Sequence, residues 1–293
     1  MSLKHFLLLL LISAIWGGSF IFMKELSPVF GPILTASFRL LSASVFLFII
    51  YYFQGYKINW KKNYKLFLIL GIGNSAIPFS LYAYASLFIS PSTSVILNST
   101  APMFGAIFGY LIVKESFSFK KIFGLVFGTI GVGVITSLTY VDGTLELYLA
   151  IISCIIAASF YGLSGVIAKR YASHIETKEL TLGSITFAGI VLLPLVVFSP
   201  VTGTITFNLV LMIIVFGILC TAIAYLIYYY LLKEIGAVKA LTVTYLMPAF
   251  GIFWSYIFYS EKLSYNTVLG LALISIGIFL VSSRSSFFWE KDM

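Results

Sequence analysis

Charged residues are scarce in this chain: Asp, Glu, Lys and Arg make up 10% of its 293 residues, whereas apolar types make up 60%. Soluble domains usually carry about 25% charged residues, so this chain has too little polar surface to be wetted as a globule. The mean hydropathy is +1.06. A content of 28 Phe and 19 Tyr residues excludes a disordered chain. The composition therefore predicts a protein whose solvent is largely lipid.

Residues that support catalysis or metal binding are also few. The two cysteines, Cys154 and Cys220, lie within apolar runs, whereas His5 lies at the end of one and His174 lies between two. Metal sites and disulfide frameworks need clustered ligands, so we expect no metal, no cofactor and no disulfide. The sequence has no phosphate-binding loop, nucleophile elbow or Cys-x-x-Cys pair, which argues against an enzyme. The net charge of +8 is spread along the chain, so nucleic acid is not an expected partner.

Long apolar runs dominate what is present. A helix needs about 20 residues to cross a hydrocarbon core of about 30 Å. Ten runs approach that length: residues 5–23, 33–53, 66–87, 92–113, 119–138, 146–168, 180–198, 207–232, 238–259 and 265–283. Short connectors between them hold the turn residues, as at Ser27-Pro28 and Ser90-Pro91. The sequence predicts an all-α polytopic membrane protein with ten transmembrane helices.

The basic residues are distributed unevenly between the two sides of these spans. Lys24 and Lys262 fall on one side, and Arg39 lies within the second span. The other fifteen of the 18 basic residues fall on the opposite side: Lys4, Lys57, Lys61, Lys62, Lys65, Lys114, Lys120, Lys121, Lys169, Arg170, Lys178, Lys233, Lys239, Arg284 and Lys291. Cytoplasmic loops carry the excess of Lys and Arg, so both termini are predicted to be cytoplasmic. The location expected is the plasma membrane, or the inner membrane if the source is bacterial.

The two halves of the chain resemble each other. Shifting the sequence by 146 positions aligns residues 66–137 with 212–283 without a gap and matches prolines, glycines and acids in register. The matched pairs include Pro102 with Pro248, Gly105 with Gly251, Glu115 with Glu261, Gly124 with Gly270 and Gly131 with Gly277. The predicted units, 1–143 and 144–293, hold five spans each, and this odd number places equivalent helices in opposite directions. Inverted repeats of this kind recur in secondary transporters. A passive channel and a membrane-embedded enzyme remain alternatives.

Several short motifs occur in order along the chain. They are Trp16-Gly17-Gly18-Ser19-Phe20, Phe38-Arg39-Leu40, Ile77-Pro78-Phe79, Ile96 to Pro102, Glu115, the glycines 124, 128 and 131, and the second copies Pro248, Glu261, Gly270 and Gly277. In this order the chain resembles the EamA-type transporters of the drug/metabolite transporter superfamily over essentially its whole length. The resemblance implies ten helices around a central cavity, commonly in an exporter of amino acids or related metabolites. It leaves the substrate open.

Proline within a membrane helix points to one part of the cavity. Pro102 and Pro248 remove the hydrogen bonds to the carbonyls of Asn98 and Thr244, and each freed carbonyl needs another partner. We therefore predict helix kinks at both prolines. Asn98, Thr244 and the adjacent Tyr245 are predicted to line a substrate site. The alternative is a kink whose carbonyls are satisfied by neighbouring Ser or Thr side chains.

Polar and aromatic positions on other spans extend this hypothesis. Asn74 and Tyr82 share one face of the third span, and the second repeat places Thr221 and Tyr228 on the matching helix. Trp16 aligns with Tyr161, and each is followed by a glycine that permits close approach. These six residues are predicted to bind substrate. The alternatives are interfacial anchoring for the tyrosines and helix packing for the Trp16 and Tyr161 pair.

Three charged residues stand out against the apolar background. Arg39 is the one ionisable residue inside a span, and such residues are usually functional. It is expected either to hold an anionic substrate group or to form a structural pair with Glu261 or Glu25, and it could also reach the outer headgroups. Glu115 and Glu261 end the fourth and ninth spans. They are candidates for gating, with capping of the next helix through Ser118 and Ser264 as the alternative.

The function predicted from these features is secondary transport of a small metabolite by alternating access. An amino acid or a derivative is the expected substrate, and export is the expected direction. The alternatives are a passive facilitator of polar solutes and a carrier of another class such as nucleotides or cofactors. The expected partners are membrane lipid and a small-molecule substrate, and the protein is expected to be a monomer or a homodimer.

Overall fold

The computed structural model describes residues 2–114, 119–139, 144–235 and 243–282, and within these ranges every regular element is helical. The helices are α1 (Leu3–Phe30), α2 (Pro32–Phe53), α3 (Trp60–Gly71, Ile72–Ala76 and Ile77–Phe88), α4 (Pro91–Asn98 and Ala101–Val113), α5 (Phe119–Thr139), α6 (Leu145–Tyr171), α7 (Thr177–Leu192 and Leu193–Phe198), α8 (Phe207–Gly217, Ile218–Ile223 and Ala224–Ile235), α9 (Val243–Tyr259) and α10 (Tyr265–Ser282). The prediction of an all-α fold is thus confirmed over these residues.

Helix length and composition fit a membrane. In the described part of the chain, seven helices are long and apolar enough to cross a bilayer, namely α1, α2, α3, α4, α6, α7 and α8. Two shorter apolar stretches, Leu246–Tyr259 and Tyr265–Val281, follow in α9 and α10. Large apolar side chains on the outside, such as Phe53 and Phe279, would face lipid. The full set of ten spans stays a prediction.

The end of α1 differs from the prediction. Ser27-Pro28 was expected in a connector, but α1 continues through Pro28 and ends at Phe30. A membrane helix tolerates proline when neighbouring groups satisfy the backbone around it. The chain turns at Gly31, whose φ of 74° favours glycine and whose N–H donates to the Ser27 carbonyl at 2.9 Å. The connector between α1 and α2 is therefore a single residue.

A π turn interrupts both α3 and α8. The turns are Ile72–Ala76 and Ile218–Ile223, and their first residues are 146 positions apart. Gly71 and Gly217 precede them, and each packs against the backbone of a helix from the other half of the chain: Gly71 against Ser184 of α7, and Gly217 against Arg39 of α2. π turns inside α-helices are frequent at functional sites. These two turns place Asn74 and Thr221 in the interior.

Glycines of α5 contact glycines of α10 crosswise: each glycine meets the repeat counterpart of the other glycine on its own helix. A Cβ added at Gly124 would lie 2.6 Å from the Gly277 carbonyl oxygen, and one added at Gly131 would lie 2.7 Å from that of Gly270. Gly270 and Gly277 are the counterparts of Gly124 and Gly131 in the 146-residue shift. The two helices therefore run antiparallel with their backbones in close contact at these glycines.

Two other pairs of helices make the same kind of crosswise glycine contact. Gly17 of α1 packs against Gly251 of α9, and Gly162 of α6 packs against Gly105 of α4. Gly105 and Gly251 are 146 positions apart, and Gly17 and Gly162 were aligned with each other in the sequence. Each half of the chain thus uses the same surface to contact the other half.

The connectors also pair across the two halves. On one side, the Tyr56 hydroxyl donates to Glu176 at 2.7 Å, and the Asn63 amide donates to Glu179 at 2.8 Å. Burial and the hydrogen bond to Glu176 raise the pKa of Tyr56. On the other side, the Thr202 hydroxyl donates to the Pro28 carbonyl at 2.7 Å. The α2–α3 connector therefore rests on the α6–α7 connector, and the α7–α8 connector rests on the end of α1.

Candidate functional site

Arg39 lies in the interior and is surrounded by neutral groups. Only 4% of its surface is exposed. Its Nε donates to the Thr221 hydroxyl at 2.9 Å, and its Nη2 donates to the Cys220 carbonyl at 3.4 Å, both in the π turn of α8. The rings of Phe79 and Phe216 lie 3.8 and 4.4 Å from the guanidinium carbon, measured to the ring centroids. These cation–π contacts help to keep the charge in the interior.

The predicted ion pairs of Arg39 are absent. Over the described residues Arg39 forms no salt bridge. Glu25 instead accepts from the Tyr259 hydroxyl, and Glu261 accepts from two serines. The expectation that Arg39 could reach the outer headgroups is also wrong, because the side chain points inward to Thr221. The charge is therefore left without a carboxylate partner.

Tyr82, Asn98 and Tyr161 come together as predicted. The Tyr82 hydroxyl donates to Asn98 Oδ1 at 2.9 Å, and the Tyr82 ring stacks on that of Tyr161 with the centroids 6.1 Å apart. Tyr82 is 1% exposed, so it is not an interfacial anchor. Tyr161 lies within electrostatic reach of the Arg39 guanidinium. This chain of contacts connects α4 to the arginine through α3 and α6.

Trp16 and Tyr228 form the matching aromatic pair in the other half. Their ring centroids are 5.5 Å apart, and Trp16 also meets the edge of Tyr225 at 6.1 Å. Trp16 and Tyr228 are the counterparts of Tyr161 and Tyr82 in the repeat. Thr244 lies near the start of α9 and is half-buried. The side chain of Tyr245 is outside the described part of the structure.

A cavity of about 220 Å³ lies between α3, α6, α7 and α8. Its polar lining comprises Asn74, Ser164, Thr177, Thr181, Ser184 and Tyr225, and its apolar lining includes Leu70 and Ile185. Asn74 is hydrogen-bonded to Tyr225, and Tyr225 lies within electrostatic reach of Arg39. The cavity therefore extends from Thr177, at the start of α7, to Tyr225, and its lining residues do not include Arg39.

The two prolines have different surroundings. Helix α4 is interrupted at Ser99 and Thr100, directly before Pro102, whereas α9 continues through Pro248. At the interruption the Ser99 and Thr100 hydroxyls donate to the Ile96 and Leu97 carbonyls, at 2.6 and 2.7 Å. These acceptors are not the Asn98 carbonyl that Pro102 frees, so the alternative of satisfaction by neighbouring hydroxyls stays a prediction. The helix is thus interrupted near Pro102 and continuous at Pro248, and the kinks at both prolines stay predictions.

Glu261 joins two helices at the end of the molecule opposite to Thr177 and the start of α7. Its carboxylate accepts hydrogen bonds from Ser92, at the start of α4, and from Ser255 of α9. It does not cap the next helix, because the Ser264 hydroxyl itself accepts from the Thr267 N–H at 3.1 Å. Glu115 and Ser118, the matching pair in the first half, lie outside the described residues.

Sequence reasoning missed several residues of the site. Phe79, Phe216 and Tyr225 surround Arg39, and Ser164, Thr181 and Ser184 line the cavity. Phe79 and Tyr225 occupy equivalent positions in the two repeats, which was a usable signal. The serines and threonines gave none, because single hydroxyl residues are common throughout the spans.

Known proteins resemble this chain throughout its length. The model of the EamA-like transporter family matches residues 3–137 and again residues 148–283. The uncharacterized transporter YoaV of Bacillus subtilis is 24% identical over 275 residues, covering 92% of this chain and 93% of YoaV. An uncharacterized transporter of Archaeoglobus fulgidus is 28% identical over 286 residues, covering 95% of this chain and 99% of its own length. A solved crystal structure with 14% identity has a TM-score of 0.66 and covers 95% of this chain and 97% of its own.

These matches agree with the apolar helices in defining a multi-pass membrane protein. The chain belongs to the EamA-like transporter family. It is therefore a membrane transporter and not an enzyme.

Proposed function

We propose that this protein is a secondary transporter that carries a small carboxylate-bearing metabolite, an amino acid or a derivative, out of the cell by alternating access. The observation that carries the substrate class is Arg39, which is 4% exposed and has no acidic partner among the described residues. A buried charge is costly unless it is paired. A carboxylate is the planar, two-oxygen partner that a guanidinium binds best.

Two inverted repeats of five helices, residues 1–143 and 144–293, would supply the alternating access. The double match to the family, the two π turns and the crosswise glycine contacts support this arrangement. If equivalent helices run in opposite directions, the two halves can exchange conformations and open the site to either side in turn.

The proposed orientation has both termini in the cytoplasm, on the evidence of the fifteen basic residues on that side. In that orientation the mouth of the cavity near Thr177 opens to the cytoplasm. Glu261, Ser92 and Ser255 then close the outer end. A cytoplasmic substrate would then enter at the end of the cavity near Thr177 before export.

Transport by purified protein in vesicles tests the proposal. Labelled carboxylate metabolites should show saturable flux and counterflow, whereas a passive channel would give a linear flux without counterflow. Arg39→Gln should raise the apparent KM about 10- to 100-fold, because hydrogen bonds between charged groups contribute about 1.5–3 kcal/mol. Arg39→Lys should recover part of the loss, since a lysine keeps the positive charge but cannot form the two parallel hydrogen bonds of a guanidinium.

The control is Arg170→Gln, which removes an exposed arginine at the end of α6 and should leave KM unchanged. Flux is expressed per protein in the membrane, so that a folding defect is separated from a binding defect. An Arg39→Gln variant with normal amount and normal KM would contradict the proposal.

A further inference from the structure

We infer that the site selects a substrate with a net charge of −1, which has one carboxylate and no ammonium group, such as a 2-oxo acid or an N-acylated amino acid. The inference rests on the proposed function and narrows its substrate class. It depends on the charges around Arg39, on the oxygen atoms that an ammonium would need, and on the lining of the cavity.

The charge around Arg39 is uncompensated. The acidic residues of the whole chain are Glu25, Glu115, Asp142, Glu146, Glu176, Glu179, Glu234, Glu261, Glu290 and Asp292, and none falls in the interior of a predicted span. The ionisable neighbours that interact with Arg39 are Cys220, Tyr161 and Tyr225. A monoanion would neutralise the site, whereas a zwitterion would leave it with one positive charge in a low-dielectric interior.

Among the described residues around Arg39, an ammonium group would find neutral acceptors but no carboxylate. Asn98 Oδ1 also accepts from Tyr82, and the Cys220 carbonyl also accepts from Arg39. The Cys154 carbonyl accepts from the Tyr82 hydroxyl at 3.4 Å. A buried ammonium is stable when it is paired with a carboxylate or fully hydrogen-bonded. The site offers a partner for the acid end of an amino acid and none of opposite charge for its amine.

The cavity suits the neutral remainder of such a substrate. Its walls combine the hydroxyl and amide groups of Ser164, Ser184 and Asn74 with the apolar side chains of Leu70 and Ile185. A volume of about 220 Å³ limits the substrate to a small molecule. A single arginine matches a single carboxylate, whereas a phosphate dianion would require a second positive group.

Matched compounds that share a side chain and differ in charge test the inference. The sets are leucine with 4-methyl-2-oxopentanoate, phenylalanine with phenylpyruvate, and serine with hydroxypyruvate, and phenylethylamine serves as the cation. In reconstituted vesicles the preferred 2-oxo acid should have an apparent KM at least about tenfold below that of its amino acid, equivalent to about 1.4 kcal/mol. The amine should show no saturable flux.

An isosteric variant isolates the effect of charge. Asn98→Asp keeps an oxygen that can accept from Tyr82 but adds a carboxylate for an ammonium. The preference for the 2-oxo acid over the amino acid should fall about tenfold or more in this variant. Asn98→Ala adds no charge and should weaken both compounds alike, so their ratio serves as the control.

The results separate this inference from the function on which it rests. If amino acids are carried as well as 2-oxo acids or better, with a requirement for Arg39, the inference is overturned and the carboxylate transporter stands. Saturable flux of the amine, or a ratio unchanged by Asn98→Asp, would also overturn the inference. If no carboxylate in any set is carried, both the inference and the proposed function fall.

Discussion

Individual side chains connect the helices around the site, and Tyr82 is one of them. Its hydroxyl bonds to Asn98 on α4 and to the Cys154 carbonyl on α6, and its ring contacts Phe20 on α1 at 5.4 Å and Tyr161 on α6. Because Tyr82 contacts three other helices, a shift of its side chain on substrate binding would be felt at each of these contacts. Its removal should therefore affect binding more than its hydrogen bonds alone suggest.

Variants of Tyr82 separate the hydroxyl from the ring. Tyr82→Phe removes the donor to Asn98 and should raise the apparent KM about 3- to 10-fold, since one net hydrogen bond contributes about 0.5–1.5 kcal/mol. Tyr82→Ala should do more, because the ring also forms part of the wall. Asn98→Ala should match Tyr82→Phe.

Transport kinetics in vesicles provide the measurement, with Tyr52→Phe as the control. Tyr52 is 70% exposed at the end of α2 and should tolerate the loss of its hydroxyl. If Tyr82→Ala and Asn98→Ala carry substrate with unchanged affinity, the site lies elsewhere.

At this scale the sequence predicted residue types better than partners. Tyr82, Asn98 and Tyr161 were each predicted as site residues from their type and place in a span, and they do lie together. Their role in substrate binding stays a prediction. The partner of Arg39 was not predictable. Thr221 lies 182 residues away, and which two helices meet depends on packing of the whole bundle.

Among the helices, the pair α5 and α10 shows how close approach depends on glycine. Gly124→Ala would bring a methyl group 2.6 Å from the Gly277 carbonyl and 2.7 Å from the Val281 side chain. Such overpacking should lower the free energy of unfolding by roughly 1–3 kcal/mol. Thermal unfolding in detergent gives the measurement.

Gly133→Ala is the matched control on the same helix, because no atom lies within 4 Å of the added Cβ. This variant should be as stable as the wild type or slightly more stable, since alanine favours helix. Equal stability of the two variants would contradict the proposed contact. Substrate affinity should stay nearly unchanged in both.

The hydrogen bonds that Glu261 accepts from α4 and α9 should stabilise the first turns of α4. Glu261→Gln retains one acceptor oxygen, so one of the bonds from Ser92 and Ser255 is lost. Hydrogen exchange in Pro91–Asn98 should then increase about tenfold, as expected for the loss of about 1.5 kcal/mol. Glu146→Gln, at the exposed start of α6, should not change it. Unchanged exchange in Glu261→Gln would remove Glu261 from the gating residues.

Helices could be predicted from hydropathy, but their interruptions could not. The runs of apolar residues located most helix ends to within about three residues, because burial in lipid requires a minimum length. The start of α3 differs by six residues and the end of α1 by seven. The π turns at Ile72–Ala76 and Ile218–Ile223 have no signature of their own in composition. Each π turn follows a glycine, Gly71 or Gly217, that packs against the backbone of a helix distant in sequence. Such contacts depend on the folded bundle and cannot be read from local composition.

For the whole molecule, the positive charges predict which side faces the cytoplasm. A cysteine placed at Lys262 should react with a membrane-impermeant thiol reagent added outside, whereas one placed at Lys61 should react only after the membrane is opened. The native cysteines, Cys154 and Cys220, are buried and give a low background. External labelling at position 61 would reverse the orientation.

One consequence of the arginine geometry concerns stereochemistry. Nε and Nη2 lie on the same edge of the guanidinium, and the protein occupies that edge with Thr221 and Cys220. A carboxylate must then approach the far end, at Nη1 and the second hydrogen of Nη2. A planar guanidinium paired end-on with a planar carboxylate has mirror symmetry, so it cannot distinguish the two enantiomers of a substrate. Any chiral preference of this transporter must therefore come from the walls of the cavity. There Asn74, Tyr225 and Ser164 lie on three different helices, α3, α8 and α6.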